Sequence, residues 1–240
     1  MSSPSMSSLR EGYRAVVLGA SGAIGQAFVQ ALQADPRCAE VVSLGRAWPD
    51  TSPQHLDFQH PDTLMRAAQA LQEGGPVHLM VDATGVLSDA GVKPEKRLDD
   101  LDATALQHLM LINAVGPALW AKQAWPLMAT GERVIWAKLS ARVGSIEDNH
   151  KGGWYGYRAS KAALNMFLQT MAIEVVRRRP LAVVVALQPG TVRSKLSAPF
   201  AHEGAFEPED AAHRLMRALD PLPAQGRAHF VDHAGLSIPW

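Results

Sequence analysis

A single cysteine, Cys38, stands in the 240 residues, so no disulfide can close within the chain. A reducing compartment is the natural reading, and the cytoplasm the expected location. Charge of one sign is also missing, because 23 Lys and Arg balance 23 Asp and Glu. Bulk electrostatics therefore give no reason to expect nucleic acid or an anionic membrane surface as a partner. The longest apolar run, residues 181–187, is far too short to span a bilayer. The opening MSSPSMSS is polar and lacks the apolar stretch of a secretory signal, so residues 1–12 are expected to be a disordered tail. The nine histidines are scattered and no Cys/His cluster exists, so no metal is expected. No GxSxG stands between strand and helix, which sets a lipid hydrolase aside. Internal repeats, low-complexity linkers and shifts of composition are absent too, and residues 13–240 read as one domain.

What is present is an alternation of apolar runs and longer amphipathic segments. Residues 14–19 (RAVVLG), 40–44, 54–58, 77–83, 132–140, 181–187 and 227–232 read as strands, the third of them short. Residues 24–33, 61–72, 104–128 and 157–178 have helical spacing. Strands alternating with helices imply right-handed βαβ units and a parallel sheet covered on both faces. The uninterrupted apolar run AVVVAL fits a parallel sheet better than a half-solvated antiparallel one. The expected class is α/β: a single-domain, doubly wound Rossmann fold with a mainly parallel sheet flanked by helices.

The first strand runs straight into GASGAIG, which spaces Gly19, Gly22 and Gly25 as GxxGxxG before a helix. Glycine there suits a tight turn and lets backbone approach a pyrophosphate, while the helix N-terminus offers free N–H groups to the phosphates. Ser21 adds a hydroxyl. Such a turn also occurs for packing alone, but its place after the first strand favours a dinucleotide. At the end of the second strand, VVSLGRAW has no acid to hold a ribose 2′-hydroxyl; it has Arg46, which suits the 2′-phosphate of NADP. Asp57 is placed either to accept from an adenine amino group or to cap the helix that follows Pro61.

Further along, Tyr157 and Lys161 lie four residues apart on one helix face. A nearby ammonium favours phenolate, so Lys161 is expected to depress the Tyr157 pKa and make it a usable acid and base. Tyr155 has Ala159 at the same spacing, so the chemistry selects Tyr157. Asn113, within LMLINAVGPAL, reads as a buried amide that must find partners. Pro189 and Gly190 on their own read as a turn.

Taken in order, the glycine turn, Asn113, Tyr157xxxLys161 and Pro189-Gly190 resemble the short-chain dehydrogenase/reductase family, from about residue 13 to the C-terminus. LSARVGS, DNHKGGWYGYRASKAALNM and the terminal IPW are similar to its C-factor-like branch, named for a bacterial intercellular signalling protein. The resemblance implies that Tyr157 donates a proton to a carbonyl oxygen and that Lys161 binds the nicotinamide ribose and lowers the tyrosine pKa. It implies that Asn113 holds a water linked to Lys161, and that Pro189, Gly190, Val192 and Ser194 bind the carboxamide. Ile24, Thr84 and Gly85 fall among the cofactor-binding positions it implies. In the family it resembles, the two long helices, here residues 104–128 and 157–178, often pair between subunits into a homo-oligomer, and their apolar character suits that as well as simple packing on the sheet.

Two positions depart from the family pattern. The substrate-orienting serine is expected three residues before Gly144, where Ala141 stands. Ser140 and Ser145 remain as alternatives, Ser140 needing a bulge because neighbours on a strand face opposite ways. The family's Asn-Asn-Ala-Gly appears as Asp82-Ala83-Thr84-Gly85. The function expected is an NADP(H)-dependent oxidoreductase acting on a small or medium carbonyl or alcohol, with Tyr157 as acid and base. The alternative is an NADP-binding regulatory or signalling protein with little turnover, which Ala141 permits. Residues 194–209 have the small and apolar residues of a lid, short enough for an open site. Trp154 is near enough to Tyr157 to line a substrate mouth.

Overall fold

The computed structural model describes residues 5–88, 93–194, 197–198 and 203–240. Its sheet is built from β1 (Tyr13–Leu18), β2 (Cys38–Leu44), β3 (Leu79–Asp82), β4 (Val134–Leu139), β5 (Ala182–Gln188) and β6 (His229–Asp232). All neighbouring pairs run parallel, in the order β2-β1-β3-β4-β5-β6. The helices are α1 (Ala23–Gln33), α2 (Pro61–Glu73), α3 (Ala103–Met110), α4 (Gly116–Ala124), α5 (Tyr155–Val175) and α6 (Pro208–Leu219).

Alternation along the strands divides the core into two layers. Tyr13, Ala15 and Val17 of β1 point toward α1 and α6, meeting Phe28, Leu32, Leu215 and Leu219. Val16 and Leu18 point the other way, toward Leu64, Trp120, Leu164 and Leu168 of α2, α4 and α5. With both faces covered, the strands are apolar on both sides, which is why they read as unbroken runs. Strand order reverses beside β1, and the crevice beyond the carboxyl ends of β1 and β3 is where such sheets take ligands. Among the described residues, no helix is long and apolar enough to cross a membrane.

Four features differ from the expectation. Residues 54–58 form no strand; a single bridge joins Gly45 to His55. Leu56 and Phe58 are apolar because they are buried in the α2–α4 layer, not because they join a ladder. The expected helix over 104–128 is interrupted by a π turn at Leu111–Val115, where the Gly116 N–H reaches back to the Leu111 carbonyl. Pro117 follows with no N–H to give to the Asn113 carbonyl, so the regular ladder cannot run through this point. Helix α6 was not assigned from the sequence, although it has Pro208 at its start, Glu209 and Asp210 in its first turn and Arg217 in its last.

The fourth difference is the tail, in which residues 5–12 are described and several of them pack onto the domain. Met6 and Leu9 are fully buried. The Met6 N–H and the Ser5 and Tyr13 hydroxyls donate to the buried Asp35 carboxylate, each at 2.9 Å. The Ser7 hydroxyl and Ser8 N–H donate to Asp220, beyond α6, at 2.7 and 2.8 Å. Residues 1–4 lie outside the described residues, as do 195–196 and 199–202 of the expected lid. The lid's flanks are tied together: Phe206 N–H donates to the Thr191 carbonyl and Arg193 N–H to the Phe206 carbonyl, both at 2.9 Å.

Candidate active site

Two cavities open at the carboxyl ends of the strands and share the wall formed by Ala83, Thr84 and Gly85. The first, of about 410 Å³, lies over the β1–α1 turn. Gly19 there has φ +69°, a left-handed conformation that a β-carbon disfavours, and its carbonyl accepts from the Gly22 N–H at 2.9 Å. Gly19, Ser21, Gly22, Arg46, Asp57, Thr84 and Gly85 all line this cavity. Arg46 is exposed at the end of β2. Asp57 is not the side-chain cap of α2, whose N-cap is His60; its carboxylate accepts from the Gln59 N–H at 3.0 Å. Gly25 lies beneath the turn, buried against it.

The second cavity, of about 270 Å³, is lined by Ile24, Thr84, Gly85, Ser140, Ala141, Trp154, Tyr157, Lys161, Pro189, Gly190, Val192 and Ser194, among others. Its aromatic wall is Trp154, set edge-on to Tyr157 with ring centroids 6.2 Å apart. Trp154 is the one described non-glycine residue with positive φ, at +54°. Its N–H donates to the Glu95 carbonyl at 2.5 Å, and the Glu95 carboxylate accepts from the Gly156 N–H at 3.2 Å. Glu95, itself buried, thus props both the strained residue and the N-terminal turn of α5. Nothing in the sequence pattern singled it out.

Helix α5 carries Tyr157 and Lys161 into the cavity together. The Lys161 ammonium lies 5.7 Å from the Tyr157 ring centroid and donates to the Leu139 carbonyl at 3.1 Å. Burial pushes the phenol up to about 12, opposite in direction to the expected depression by Lys161. Lys161 is itself pushed well below its ordinary value, first by burial and then by the like charge of Lys138, with Asp82 opposing. Burial thus works against the charged form of both partners.

Asn113 sits in the π turn, fully buried, just behind this wall. Its side-chain amide donates to the Val86 carbonyl at 2.8 Å and to the Ser160 hydroxyl at 3.1 Å, and its oxygen accepts from the Val86 N–H at 2.9 Å. Ser160 in turn donates to the Tyr157 carbonyl at 2.8 Å. The π turn therefore connects the turn after β3 to the helix bearing Tyr157. A β-carbon at Gly85 would stand 3.4 Å from Lys161 Nζ and 3.5 Å from Asn113 Oδ1, so all three residues converge.

The two alternative serines fare differently. Ser145 is buried away from the cavity, donating to the Trp240 carbonyl at 3.3 Å and accepting from the Asp148 N–H at 3.0 Å. Ser140 does line the cavity, but its hydroxyl donates to Asn165 Oδ1 at 2.6 Å. The β4–β5 register is regular through Leu139, and the Ser140 N–H still bonds the Leu187 carbonyl at 2.7 Å, so no bulge turns Ser140 round. Ala141 occupies the cavity wall with extended backbone.

The sequence reading also passed over a buried ion pair. Lys138 Nζ donates to Asp82 Oδ1 at 2.9 Å, to the Thr84 carbonyl at 2.6 Å and to Thr84 Oγ1 at 2.9 Å. The signal was available: a lysine inside VIWAKL is a charge in an apolar strand, which demands a partner.

Comparison with known proteins matches residues 13–204 to the family described as short chain dehydrogenase. The chain is 31% identical over 167 residues to the C-signal protein of Myxococcus xanthus, covering 69% of this chain and 94% of that protein. It is 30% identical over 190 residues to 1-hydroxy-2-glutathionyl-2-methyl-3-butene dehydrogenase of Rhodococcus sp. strain AD45, covering 77% and 78% respectively. Among solved structures, the NADPH-bound carbonyl reductase from chicken fatty liver superposes with a TM-score of 0.79 at 21% identity, covering 97% of this chain and all of that one.

Proposed function

Since the chain belongs to the short-chain dehydrogenase family, we propose that it is an NADP(H)-dependent oxidoreductase interconverting a small or medium carbonyl compound and its alcohol. One observation carries this reading: the cavity over the glycine turn and the cavity holding Tyr157 and Lys161 share the wall at Thr84 and Gly85. A dinucleotide laid across both would place its phosphates on the α1 N-terminus and its nicotinamide beside Tyr157. The residues present fit NADP. Arg46 in the wall of the first cavity suits the 2′-phosphate, and no acid stands at that strand end to favour NAD. The chicken reductase, whose structure holds NADPH, agrees with this choice.

Within that frame each residue has a task. A bound nicotinamide supplies or accepts the hydride. Tyr157 gives its proton to the carbonyl oxygen during reduction and takes it back during oxidation. Lys161 holds the ribose and passes protons between Tyr157 and the Asn113 region. Pro189, Gly190, Val192 and Ser194, which line the second cavity, would meet the carboxamide of a bound nicotinamide. The apolar lining by Leu87, Val143 and Trp154 favours a substrate with an apolar flank. Ser140 has its proton engaged by Asn165, so Tyr157 is left as the principal donor to the substrate oxygen.

The test is NADPH oxidation over a panel of carbonyl compounds, wild type against Tyr157→Phe. Turnover that drops about a hundredfold or more in the variant is the expected result. Turnover unaffected by the substitution would remove Tyr157 from the mechanism. A second reading, an NADP-binding signalling protein with little turnover, is favoured by Ala141 and by the likeness to C-signal. Tight NADPH binding in a fluorescence titration without turnover on any panel member would select it.

A further inference from the structure

Asp82 and Lys138 are direct partners in the β3–β4 register, on the sheet face that α5 covers, with side chains 2% and 1% exposed. Burying two charges is expensive unless their hydrogen bonds are complete, and two strands can be joined without them. Here the bonds of the lysine are complete. All three Lys138 protons are given away, to Asp82 Oδ1, Thr84 Oγ1 and the Thr84 carbonyl. Asp82 Oδ1 also accepts from the Thr84 N–H at 2.9 Å and the Thr84 hydroxyl at 2.5 Å. The pair therefore grips Thr84 at both its backbone groups and its side chain.

Thr84 and Gly85 form the wall common to both cavities, and Gly85 abuts Lys161 Nζ. The peptide joining Thr84 to Gly85 thus has the Lys138 ammonium on its carbonyl and the Lys161 ammonium near its α-carbon. The reading of Tyr157 and Lys161 as a proton-transfer pair makes no use of this second buried cation.

We propose that Lys138 is a positioning residue for the reaction: with Asp82 it fixes the Thr84 turn, and its ammonium sets the electrostatic surroundings in which Lys161 and Tyr157 exchange a proton. This rests on the oxidoreductase reading above. The titratable groups facing Lys161 are Tyr157 on its own helix, Lys138 on β4 and Asp82 on β3, while Asn113 and Ser160 are uncharged. Lys138 lowers the proton affinity of Lys161 beyond the effect of burial, and Asp82 opposes it more weakly. Opposite substitutions within the pair therefore act on Lys161 with opposite signs.

The experiment follows the Lys161 side-chain nitrogen by NMR in 15N-lysine protein, its signal assigned by Lys161→Arg. Lys138→Met is expected to raise the Lys161 pKa by about one unit, and Asp82→Asn to lower it. The neutral pair made by Asp82→Asn with Lys138→Asn, whose amides can still bridge the strands, moves it upward and decides the matter should either single variant fail to fold. A Lys161 titration unchanged in these variants, or displaced the same way by Lys138→Met and Asp82→Asn, overturns the proposal. Because this titration is read without substrate, a lack of turnover would count against the reductase reading and leave the test of Lys138 intact.

Discussion

Gly25 packs so closely on Gly19 that a β-carbon on it would stand 2.1 Å from the Gly19 carbonyl oxygen. The contact is with backbone, so no side chain can swing aside. Gly25→Ala must therefore move α1 away from the glycine turn, at a cost of about 3 kcal/mol by the usual scale of overpacking. Urea unfolding should show this loss, and NADPH affinity should fall with it, because the N–H groups aimed at the phosphates move too. A variant with unchanged stability would mean that the turn is looser than the structure describes.

Ala141 lines the cavity beside Tyr157, at the position that the family resemblance gives to a substrate-orienting serine, while the Ser140 proton is held by Asn165. Ala141→Ser is expected to raise kcat/KM for carbonyl reduction by about a hundredfold, the lower end of the scale of one oxyanion donor. Ser140→Ala should leave kcat within a few-fold of wild type. If Ser140→Ala instead abolished turnover, the hydroxyl must leave Asn165 in the working complex, and Ser140 would be the missing donor.

Burial raises the Tyr157 phenol to about 12, and reduction needs the protonated form. Carbonyl reduction should therefore be flat with respect to this group from pH 6 to 9. Alcohol oxidation needs phenolate and should rise about tenfold per pH unit over the same range. Paired profiles of kcat/KM in the two directions check the sign. A reduction rate that falls through neutral pH would mean that bound cofactor lowers the phenol pKa substantially.

Asp35 illustrates linkage in the opposite sense. Burial works against its charge, yet the Met6 and Arg37 N–H groups and the Tyr13 and Ser5 hydroxyls outweigh it, holding the carboxyl below its ordinary value. A depressed carboxyl contributes stability that is full above its unfolded pKa, roughly 3.9, and is lost as pH falls through the folded one. Asp35→Asn should cost about 2–4 kcal/mol at pH 7, since it leaves buried donors unmatched. The gap between wild type and variant in urea unfolding should narrow below about pH 4. A gap that is constant with pH would assign the loss to packing alone.

The residues legible in sequence are those whose chemistry is local. The glycine turn, the Tyr157/Lys161 spacing and the apolar strands each carry their signal within a few neighbours, and they stand where they were expected. Asn113 was legible as a buried amide, but the π turn that aims it was not, because the apolar pattern continues unbroken across it and only Pro117 hints at the break. Residues 54–58 misled for a related reason: burial of Leu56 and Phe58 under α4 imitates the alternation of a strand. Glu95, Asp82 and Lys138 depend on partners 56 or more residues away, as in Gly156 for Glu95, and no window of sequence contains both halves.

The fastening of Ser7 and Ser8 to Asp220 spans more than two hundred residues of chain. During synthesis the serines emerge more than two hundred residues ahead of their carboxylate, so this join cannot form until residue 220 has been made. Met6 and Leu9, although near the start, must wait beside an incomplete layer until α6 arrives to close it. Residues 6–9 thus close late, and a chain truncated before α6 would leave two apolar side chains without the layer that covers them.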